Sequence, residues 1–456
     1  MESLAALEAA CPGLVVVTDG APRAAAATDA LRPTRGRPDL RAAPAAVAVV
    51  EPADTAQVAA VVRWASRAGM AVVARGGGSG LMGGASVLRP AVVLDLHRLD
   101  RVDVDGETCQ VRAGAGARLE AVDAALAPHG LMLGHDPWTV NVATIGGVLS
   151  TNGLGYLGAR AGNVAAQVRA VEVVLADGRI LATRAAPARS VGLELTHLFV
   201  GTEGTLGIVT EATLAVLPKP EERIVQLYEL PSFDAGVGVA IALRRTGIRY
   251  ACLELSADDL PPAPASLLLV FDGLAGEAAL HAARGADIVR RADGRALPTA
   301  EAEAQWAGRH AIADRWAANR RAHRDDLMPE AGGHQFDYAH VGVPAAGLAA
   351  VRTTAHALVR RHELMLIEEG LWHWPELYSI VVSGPPESAD GVRTTIDGVC
   401  RAAQEAGGTM EYCHGVGVKL AHLMEAEHGA TGLEVMGRVK QSLDPAGTLN
   451  PGKAGL

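Results

Sequence analysis

The chain has 456 residues, a length that suggests two or three domains. Hydrophobic residues make up 49% and charged residues 20%, which excludes a disordered protein and allows a large core. The formal net charge of −10 and the aromatic content of 4% argue against a nucleic-acid partner and against base-stacking platforms. The cysteines form no CxxC pattern, so the sequence predicts no disulfide framework, zinc site or iron–sulfur site: Cys11, Cys109, Cys252, Cys400 and Cys413.

The same sequence shows no pattern that directs it to a membrane. The first residues, MESLAALEAACPG, carry two glutamates and no basic stretch, unlike a secretory signal peptide. The longest apolar runs, such as residues 42–50, are well short of the ~20 residues that span a bilayer. Together with the cysteines, this predicts a cytoplasmic protein and leaves peripheral attachment to a membrane open.

Hydrophobic periodicity predicts the elements in chain order. Residues 1–40 are expected to be a polar lead-in with one short helix and a loop. A helix is predicted at residues 56–68. Strands are predicted on both sides of it, as far as Pro218, at 47–52, 71–74, 91–96, 108–113, 170–175, 180–183 and 209–216.

The composition shifts near residue 220, where strands and helices alternate as in a split βαβ layout. Helices are predicted at 236–246, 276–292, 300–330, 386–406 and 432–443. Strands are predicted at 225–230, 251–255, 267–271, 340–343, 364–368 and 379–382. We expect four parts: the lead-in 1–40, a first domain 41–220, a second domain 221–430, and a segment 431–456 that returns to the first domain.

A glycine-rich loop occupies residues 75–85, RGGGSGLMGGA. Residues 78–83 match GxGxxG by letter, but Pro90 and a β-run follow where a Rossmann site needs a helix. The sequence therefore argues against the dinucleotide fingerprint. Successive backbone N–H groups in such a loop can instead form a nest around a pyrophosphate; the alternative is a flexible surface loop. Two further glycine clusters, at 135–155 and 201–210, suggest one large phosphate-bearing ligand held mainly by backbone.

Five motifs occur in order: ARGGGSGLMGGA, TIGGVLSTNGLGYLG, VEVVLADGRI, GTEGTLGIVTEATL and DPAGTLNPGK. The set resembles the vanillyl-alcohol oxidase/p-cresol methylhydroxylase (PCMH) family of FAD enzymes. It is nearest the branch of D-lactate/glycolate dehydrogenases and alkyl-dihydroxyacetone-phosphate synthases. The resemblance implies an α+β fold, with a PCMH-type FAD-binding domain of two subdomains and an α/β cap (substrate) domain over an antiparallel sheet.

The resemblance also implies which residues bind FAD. The first loop would hold the phosphates: Arg75, Gly76, Gly77, Gly78, Ser79, Gly80, Leu81, Gly83 and Gly84. The second cluster would line the flavin and its ribityl chain: Pro137, Thr144, Gly146, Gly147, Ser150, Asn152, Gly153, Gly158, Gly162 and Asn163. Residues on the adenine side and in the C-terminal tail would complete the site: Glu203, Gly207, Ile208, Val209, Asn450 and Lys453. The first loop has no histidine, so FAD is expected to bind noncovalently, and a link from the cap domain stays open.

Flavin oxidation of a C–H bond needs a base for the hydroxyl proton and a positive group for a substrate anion. His414, in the segment EYCHGVG, resembles the family's catalytic histidine, and its ordinary pKa of about 6.5 suits proton transfer; the alternative is a packed or surface histidine. Tyr378 would be its hydrogen-bond partner, and His373 completes the predicted catalytic set.

Four residues are predicted to bind the substrate. Arg309, in WAGR, resembles a family arginine that reaches a carboxylate; a solvated helix face is the alternative. Trp372 and Trp374 would wall an apolar pocket or pack in the core, and Cys413 would be redox-active or a small core residue. The branch's metal motifs are absent, because Cys413 stands where a carboxylate is usual and no GDGN-like loop occurs, so no metal is predicted.

The leading hypothesis is an FAD-dependent dehydrogenase or oxidase that oxidises a hydroxylated organic acid or alcohol by hydride transfer to flavin N5. The electron acceptor is left open among oxygen, a quinone and an electron-transfer protein, and a homodimer is possible. One alternative is a synthase-like flavin transferase without net redox change. Another is a non-catalytic FAD-type subunit of a glycolate-oxidase-like complex.

Overall fold

A computed structural model describes residues 4–31, 46–321 and 335–456. The helices in this part of the chain are α1 Leu4–Ala10, α2 Gly20–Ala26, α3 Thr55–Ala68, α4 Leu119–Leu126, α5 Ile145–Thr151, α6 Gly158–Ala161, α7 Val164–Gln167, α8 Phe233–Thr246, α9 Glu277–Arg291, α10 Thr299–Ala307, α11 Ala311–Arg321, α12 Leu348–Arg361, α13 Ala389–Glu405 and α14 Met424–Leu443. The strands are β1 Val15–Val17, β2 Ala48–Glu51, β3 Ala71–Arg75, β4 Ala91–Asp95, β5 Val102–Asp105, β6 Gln110–Gly114, β7 Leu131–Met132, β8 Val168–Val174, β9 Ile180–Ala182, β10 Ile208–Ala215, β11 Leu217–Pro218, β12 Glu222–Leu230, β13 Cys252–Ala257, β14 Ala265–Gly273, β15 Arg295–Ala296, β16 Gln335–Gly342, β17 Met365–Trp372 and β18 Leu377–Gly384.

The first sheet has the order β1-β2-β4-β3, with β2, β4 and β3 parallel. Helix α3 makes the crossover from β2 to β3. The Asp54 side chain caps this helix by accepting from the Gln57 backbone N–H, and Gly69 ends it with φ +65°. Strand β1 pairs with β2, so the lead-in, expected to hold one short helix and a loop, adds a strand to this sheet.

The second sheet is antiparallel, in the order β5-β6-β10-β8-β9. Helices α4 and α5 cover one of its faces with leucine, isoleucine and valine side chains. Residues from β8 and β10 also pack against the core of the first sheet. The two sheets therefore form two packed halves of one region.

The third sheet has seven antiparallel strands in the order β15-β12-β14-β13-β17-β18-β16. Its first half, β12-α8-β13-β14-α9-β15, has the predicted split βαβ layout. Helices α8, α9, α12 and α13 contribute to a core on one face. Leu253, Leu255 and Leu371 point into that core, whereas Cys252 and Trp372 pack on the opposite face, against Tyr156 of the N-terminal region. Alternate residues of these strands thus point away from the helices.

The C-terminal residues return to the first sheet. Leu449 forms a parallel bridge with Val72, and the Asn450 N–H donates to the Val72 carbonyl at 2.8 Å. This contact brings the NPGK segment beside the first glycine loop. None of the helices described above is long and apolar enough to cross a membrane.

The predicted α+β class is confirmed. Helices α4, α5 and α12 were not predicted. The charged stretch 300–330 divides into α10 and α11, and its residues beyond 321 lie outside the described part. No helix follows the first glycine loop before β4, as predicted, so the loop has no Rossmann geometry.

Candidate active site

An open cleft runs between the glycine loops and the third sheet, with about 1260 Å³ of space including solvent at its mouth. Most residues that the sequence assigned to FAD line it: Arg75, Gly76, Gly77, Gly78, Ser79, Gly80, Leu81, Gly84, Pro137, Thr144, Gly146, Gly147, Ser150, Gly153, Glu203, Gly207, Ile208 and Val209. From the third-sheet region come Cys413 and His414. Three separate loops therefore meet at one cavity.

The first glycine loop presents unpaired backbone donors. The N–H groups of four of its residues donate to no acceptor within the described chain: Gly76, Gly77, Ser79 and Gly80. Gly77 packs tightly, because a Cβ there would lie 2.0 Å from the Val142 carbonyl oxygen. Gly78 has φ +64°, in the left-handed region that favours glycine. Clustered free N–H groups of this kind bind the oxygens of a pyrophosphate.

The second cluster builds the opposite wall. Thr144 caps α5 by accepting from the Gly147 N–H at 3.3 Å. A Cβ on Gly146 would lie 2.8 Å from the Ala115 Cβ, so the glycine lets α5 lie close to β6. The TIGG motif thus combines a helix cap at Thr144 with a glycine, Gly146, that lets the helix lie close to Ala115.

Two C-terminal residues support the cleft from behind. The Asn450 side-chain amide donates to the carbonyl oxygens of Gly84 at 2.8 Å and Glu203 at 2.5 Å. The fully buried Lys453 ammonium donates to the Ser86 carbonyl at 2.7 Å, and burial lowers its pKa to about 8. Neither side chain lines the cleft. Their hydrogen bonds instead hold the backbone of the first glycine loop, its following residues and Glu203 in place.

Five further predicted FAD residues also lie outside the cleft lining. A Cβ on Gly83 would meet Val418, and one on Gly158 would meet His373, so both glycines allow close packing between segments. The Asn152 side chain accepts from the Ala165 N–H, and that of Asn163 accepts from the Ala166 N–H. Gly162 ends α6 with φ +72°. These residues have structural partners that explain them.

The sequence interpretation missed several polar residues of the cleft, among them His135 and Asp29. His135 is 3% exposed, and neither ring nitrogen has a hydrogen-bond partner in the described part of the chain. Burial lowers its pKa to about 4, so the ring is neutral near pH 7. Asp29, in the lead-in, accepts from the N–H groups of Leu31 and Ala85. For His135, its position two residues before the predicted FAD residue Pro137 could have indicated a place at the site. The sequence around Asp29 gave no such indication.

His414 lies at the cap end of the cleft, with its side chain 18% exposed. Its Nδ1 is 3.4 Å from Glu411 Oε1 and 3.3 Å from the Cys413 sulfur. Glu411 Oε1 accepts from the N–H groups of Tyr412, Cys413 and His414, which fixes the loop. Burial alone would raise the pKa of Glu411, but His414 and the other donors lower it to about 2. An ionised carboxylate thus faces the predicted base.

His340 completes this group. Its ring centroid is 4.6 Å from that of His414, and the ligand atoms of His340, Glu411 and His414 lie within 4.8 Å of one another. These donors could hold a metal ion. The prediction that the protein uses no metal stays a prediction.

Tyr378 is not at the cleft, contrary to its predicted role. It is fully buried on the helix-covered face of the third sheet, and its hydroxyl donates to Glu369 at 2.9 Å. Arg352 and His356 of α12 bind the same carboxylate. Tyr378 therefore belongs to a buried polar network of the cap core. The predicted pairing with His414 does not occur.

His373 is also remote from the cleft lining. It is fully buried with φ +61°, and its Nε2 is 2.8 Å from the Gly155 carbonyl. Trp372 packs 5.4 Å from Tyr156 between ring centroids, and Trp374 follows in the turn after β17. None of the three lines the cleft. Their placement indicates packing between the cap and the N-terminal region.

Arg309 does not reach the cleft lining either. Its guanidinium donates to Asp136 at 3.0 Å and lies 4.1 Å from the Trp306 ring centroid. His310 binds the other oxygen of Asp136 at 3.0 Å. These contacts engage the guanidinium, so the predicted carboxylate clamp is not formed.

The α+β fold and a cleft with nested backbone donors define an FAD-binding protein, and comparisons with known proteins give its family. Residues 46–184 match the family described as "FAD binding domain", and residues 219–454 match "FAD linked oxidases, C-terminal domain". The chain belongs to the FAD-linked oxidases and is an FAD-dependent oxidoreductase. The family recognised from the motifs is thereby confirmed.

Relatives match over most of the chain. A D-lactate dehydrogenase of Archaeoglobus fulgidus is 28% identical, over 89% of this chain and 90% of that protein. The glycolate oxidase subunit GlcD of Escherichia coli is 29% identical, over 99% of this chain and 90% of that protein. The fold resembles p-cresol methylhydroxylase, with a TM-score of 0.72, 16% identity and coverage of 97% of this chain and 94% of that one. The fold also resembles an alkyldihydroxyacetonephosphate synthase, with a TM-score of 0.73, 19% identity and coverage of 90% of this chain and 77% of that one.

Proposed function

We propose that the protein oxidises the carbinol group of a hydroxyl compound at the cap end of the cleft, with His414 as the base. The observation that carries this role is the contact of His414 with the ionised Glu411 beside the cleft. Oxidation removes a hydride from carbon and a proton from the hydroxyl; FAD, when bound, supplies the hydride acceptor. The Glu411 carboxylate, 3.4 Å from His414 Nδ1, holds the imidazole in place for this proton transfer.

The residues of the cleft also support a mode of binding for the FAD cofactor. The free N–H groups of Gly76, Gly77, Ser79 and Gly80 fit the pyrophosphate, and the two orphaned nitrogens of His135 fit a further polar group. The first loop offers no histidine for a covalent bond, so we propose noncovalent FAD. Relatives named as D-lactate dehydrogenase and glycolate oxidase favour oxidation over transfer without redox change.

The test measures flavin reduction in the FAD-loaded protein. His414→Asn is expected to slow flavin reduction by a substrate about 10²–10⁴-fold, because the base is lost while the cleft remains. His428→Asn is the matched control, since His428 is exposed on α14. The affinity for FAD, measured by fluorescence titration, should be equal in the two variants.

Two results would contradict this proposal. One is an unchanged rate of flavin reduction in His414→Asn at saturating substrate. The other is flavin that stays with the denatured protein after filtration, which would show covalent attachment. The compartment and a homodimer stay predictions, and the electron acceptor stays open among oxygen, a quinone and an electron-transfer protein.

A further inference from the structure

A second histidine of the cleft, His135, lies buried on the wall formed by the N-terminal region. It is 3% exposed and lines the cleft, and neither ring nitrogen has a hydrogen-bond partner within the described residues. Buried polar atoms are nearly always paired, because leaving one without a partner costs free energy. Two such atoms on one ring that borders a cofactor cleft indicate that a bound group supplies the missing partner.

The polar neighbours of His135 are engaged elsewhere. The adjacent carboxylate, that of Asp136, already binds Arg309 at 3.0 Å and His310 at 3.0 Å. The Thr151 hydroxyl donates to carbonyl oxygens of its own helix, α5, at 3.4 Å. The imidazole is therefore left for a partner from inside the cleft.

Helix α5 runs along the cleft from the first glycine loop to the loop of the proposed base. At its start, a Cβ on Gly76 would lie 2.2 Å from the Oγ1 of the capping Thr144. At its end, a Cβ on Gly415 would lie 3.5 Å from Thr151 Cγ2, and Gly415 directly follows His414. With a rise of about 1.5 Å per residue, the two ends of the helix lie about 9 Å apart. They therefore mark a phosphate end and a base end of the cleft.

His135 lies at the base end. A Cβ on Gly153, two residues after the end of α5, would lie 3.1 Å from His135 Cε1, 3.2 Å from its Nε2 and 3.7 Å from Thr151 Oγ1. The imidazole thus packs against Gly153 beside Thr151, away from the first glycine loop. His135 and His414 approach the same part of the cleft from two different regions of the molecule.

The wall around His135 suits a flat ring. Gly146, Gly147 and Gly153 line the cleft there, and their lack of side chains lets a ligand lie close to the backbone. The flavin ring of FAD is flat and presents mainly hydrogen-bond acceptors, namely its carbonyl oxygens and unprotonated nitrogens. Burial lowers the pKa of His135 to about 4, so the neutral ring keeps one N–H to donate near pH 7.

We propose that His135 donates an N–H to the flavin ring of bound FAD and thereby raises the reduction potential of the flavin. Reduction adds electrons to the ring, so its acceptor atoms become more negative, and a nearby N–H stabilises the reduced form more than the oxidised form. The inference rests on the proposed function, which places the flavin ring beside His414. The hydroxyl compound stays on the side of His414, because that residue belongs to the other wall of the cleft.

The reduction potential of bound FAD tests this role without any substrate. FAD-loaded protein is reduced anaerobically with xanthine and xanthine oxidase beside a reference dye, and both are followed by absorbance. His135→Leu removes both nitrogens and keeps an apolar side chain of similar volume. Its affinity for reduced FAD should fall at least about tenfold more than its affinity for oxidised FAD, which lowers the two-electron potential by about 30 mV.

Two further variants assign the bond to one nitrogen. Glutamine places an amide N–H near the position of Nε2, and asparagine places one near that of Nδ1. One of His135→Gln and His135→Asn should therefore keep the potential of the unaltered protein, and the other should behave like His135→Leu. His129→Leu, at an exposed histidine, is the matched control and should leave the potential unchanged. If His135→Leu does not take up FAD, the contrast between His135→Gln and His135→Asn decides alone.

Three results would overturn the assignment. Equal potentials in His135→Leu and the control would show that His135 does not bond to the flavin. Equal potentials in His135→Gln and His135→Asn would show that no single N–H is responsible. An unchanged potential with a raised KM, for whichever of lactate, glycolate and benzyl alcohol bleaches the flavin, would assign His135 to the substrate instead.

The same measurements separate this inference from the function beneath it. The potential is measured without turnover, so a His414→Asn variant that reduces its flavin at the normal rate would refute the proposed base and leave the role of His135 standing. A normal loss of activity in His414→Asn together with an unchanged potential in His135→Leu would refute the role of His135 alone.

Discussion

At the residue scale, Glu203 joins three segments of the chain. It is 6% exposed, has φ +51°, and its carboxylate accepts from the N–H groups of Val416 and Gly417. Its own carbonyl accepts from Asn450. The resemblance implied an adenine-side contact for Glu203, but these bonds tie it to the loop that carries His414. We infer that its carboxylate positions that loop from inside the cleft.

Glu203→Gln should change how stability depends on pH. Burial raises the pKa of Glu203 from 4.5 to about 7, so the folded protein holds a proton that the unfolded chain releases in this window. The free energy of unfolding therefore falls as pH rises from 4.5 to 7, and glutamine removes this contribution. Relative to the unaltered protein, the variant should gain roughly 2–3 kcal/mol across the window.

Urea unfolding at a series of pH values measures this difference, and subtraction removes groups that titrate alike in both proteins. Parallel curves for the two proteins would show that Glu203 keeps an ordinary pKa. Glu303→Gln, at an exposed carboxylate, is the control and should run parallel to the unaltered protein.

At the element scale, the first glycine loop depends on close backbone contacts. Gly77→Ala would place a Cβ 2.0 Å from the Val142 carbonyl oxygen and 2.9 Å from its carbon, and backbone atoms cannot give way cheaply. The loop must shift, which moves the free N–H groups away from one another. We expect the affinity for FAD to fall at least about tenfold, a change of about 1.4 kcal/mol.

Fluorescence titration with FAD checks this, with Gly238→Ala as the control. A Cβ on Gly238, in α8, meets nothing within 4 Å, and alanine favours a helix over glycine by about 1 kcal/mol. The control should bind FAD normally and be slightly more stable. If Gly77→Ala binds FAD as the control does, the close contact is not what shapes the loop.

Elements differed in how well the sequence predicted them. Most strands of the three sheets were predicted from their apolar runs, but β1, β5 and β15 were not. Helix α5 was missed because Gly146 and Gly147 in its first turn have low helix propensity. The sequence could not predict on which face of the sheet Tyr378 lies, since this depends on the register between β17 and β18. A bulge between Leu366 and Glu368 in β17 shifts the register of that pair. The motifs located the cleft, whereas the approach of His340 to His414 depends on residues brought together from separate segments of the chain.

At the scale of the whole molecule, the turn after β17 docks the cap on the N-terminal region. The His373 Nε2 is 2.8 Å from the Gly155 carbonyl, and the Tyr250 hydroxyl donates to the His373 carbonyl at 2.6 Å. Gly158 leaves room for the imidazole, because a Cβ there would be 2.7 Å from the ring. The ring Nδ1 has no partner within the described residues. A neutral imidazole satisfies this contact, and a protonated one leaves a buried N–H without an acceptor.

Acid should therefore loosen the two regions from each other. Burial lowers the pKa of His373 from 6.5 to about 4, so the unfolded chain binds the proton first as pH falls through this window. The contribution of His373 to stability is complete above pH 6.5 and is lost towards pH 4, with roughly 3 kcal/mol as its upper limit.

His373→Asn tolerates φ +61° but loses the ring, so it should be less stable at neutral pH and show a shallower loss of stability on acidification. Thermal unfolding from pH 7 to pH 4 measures both effects, with His129→Asn as the exposed control. If His373→Asn and the control lose stability with equal slopes, protonation of His373 does not weaken the contact between cap and cofactor domain.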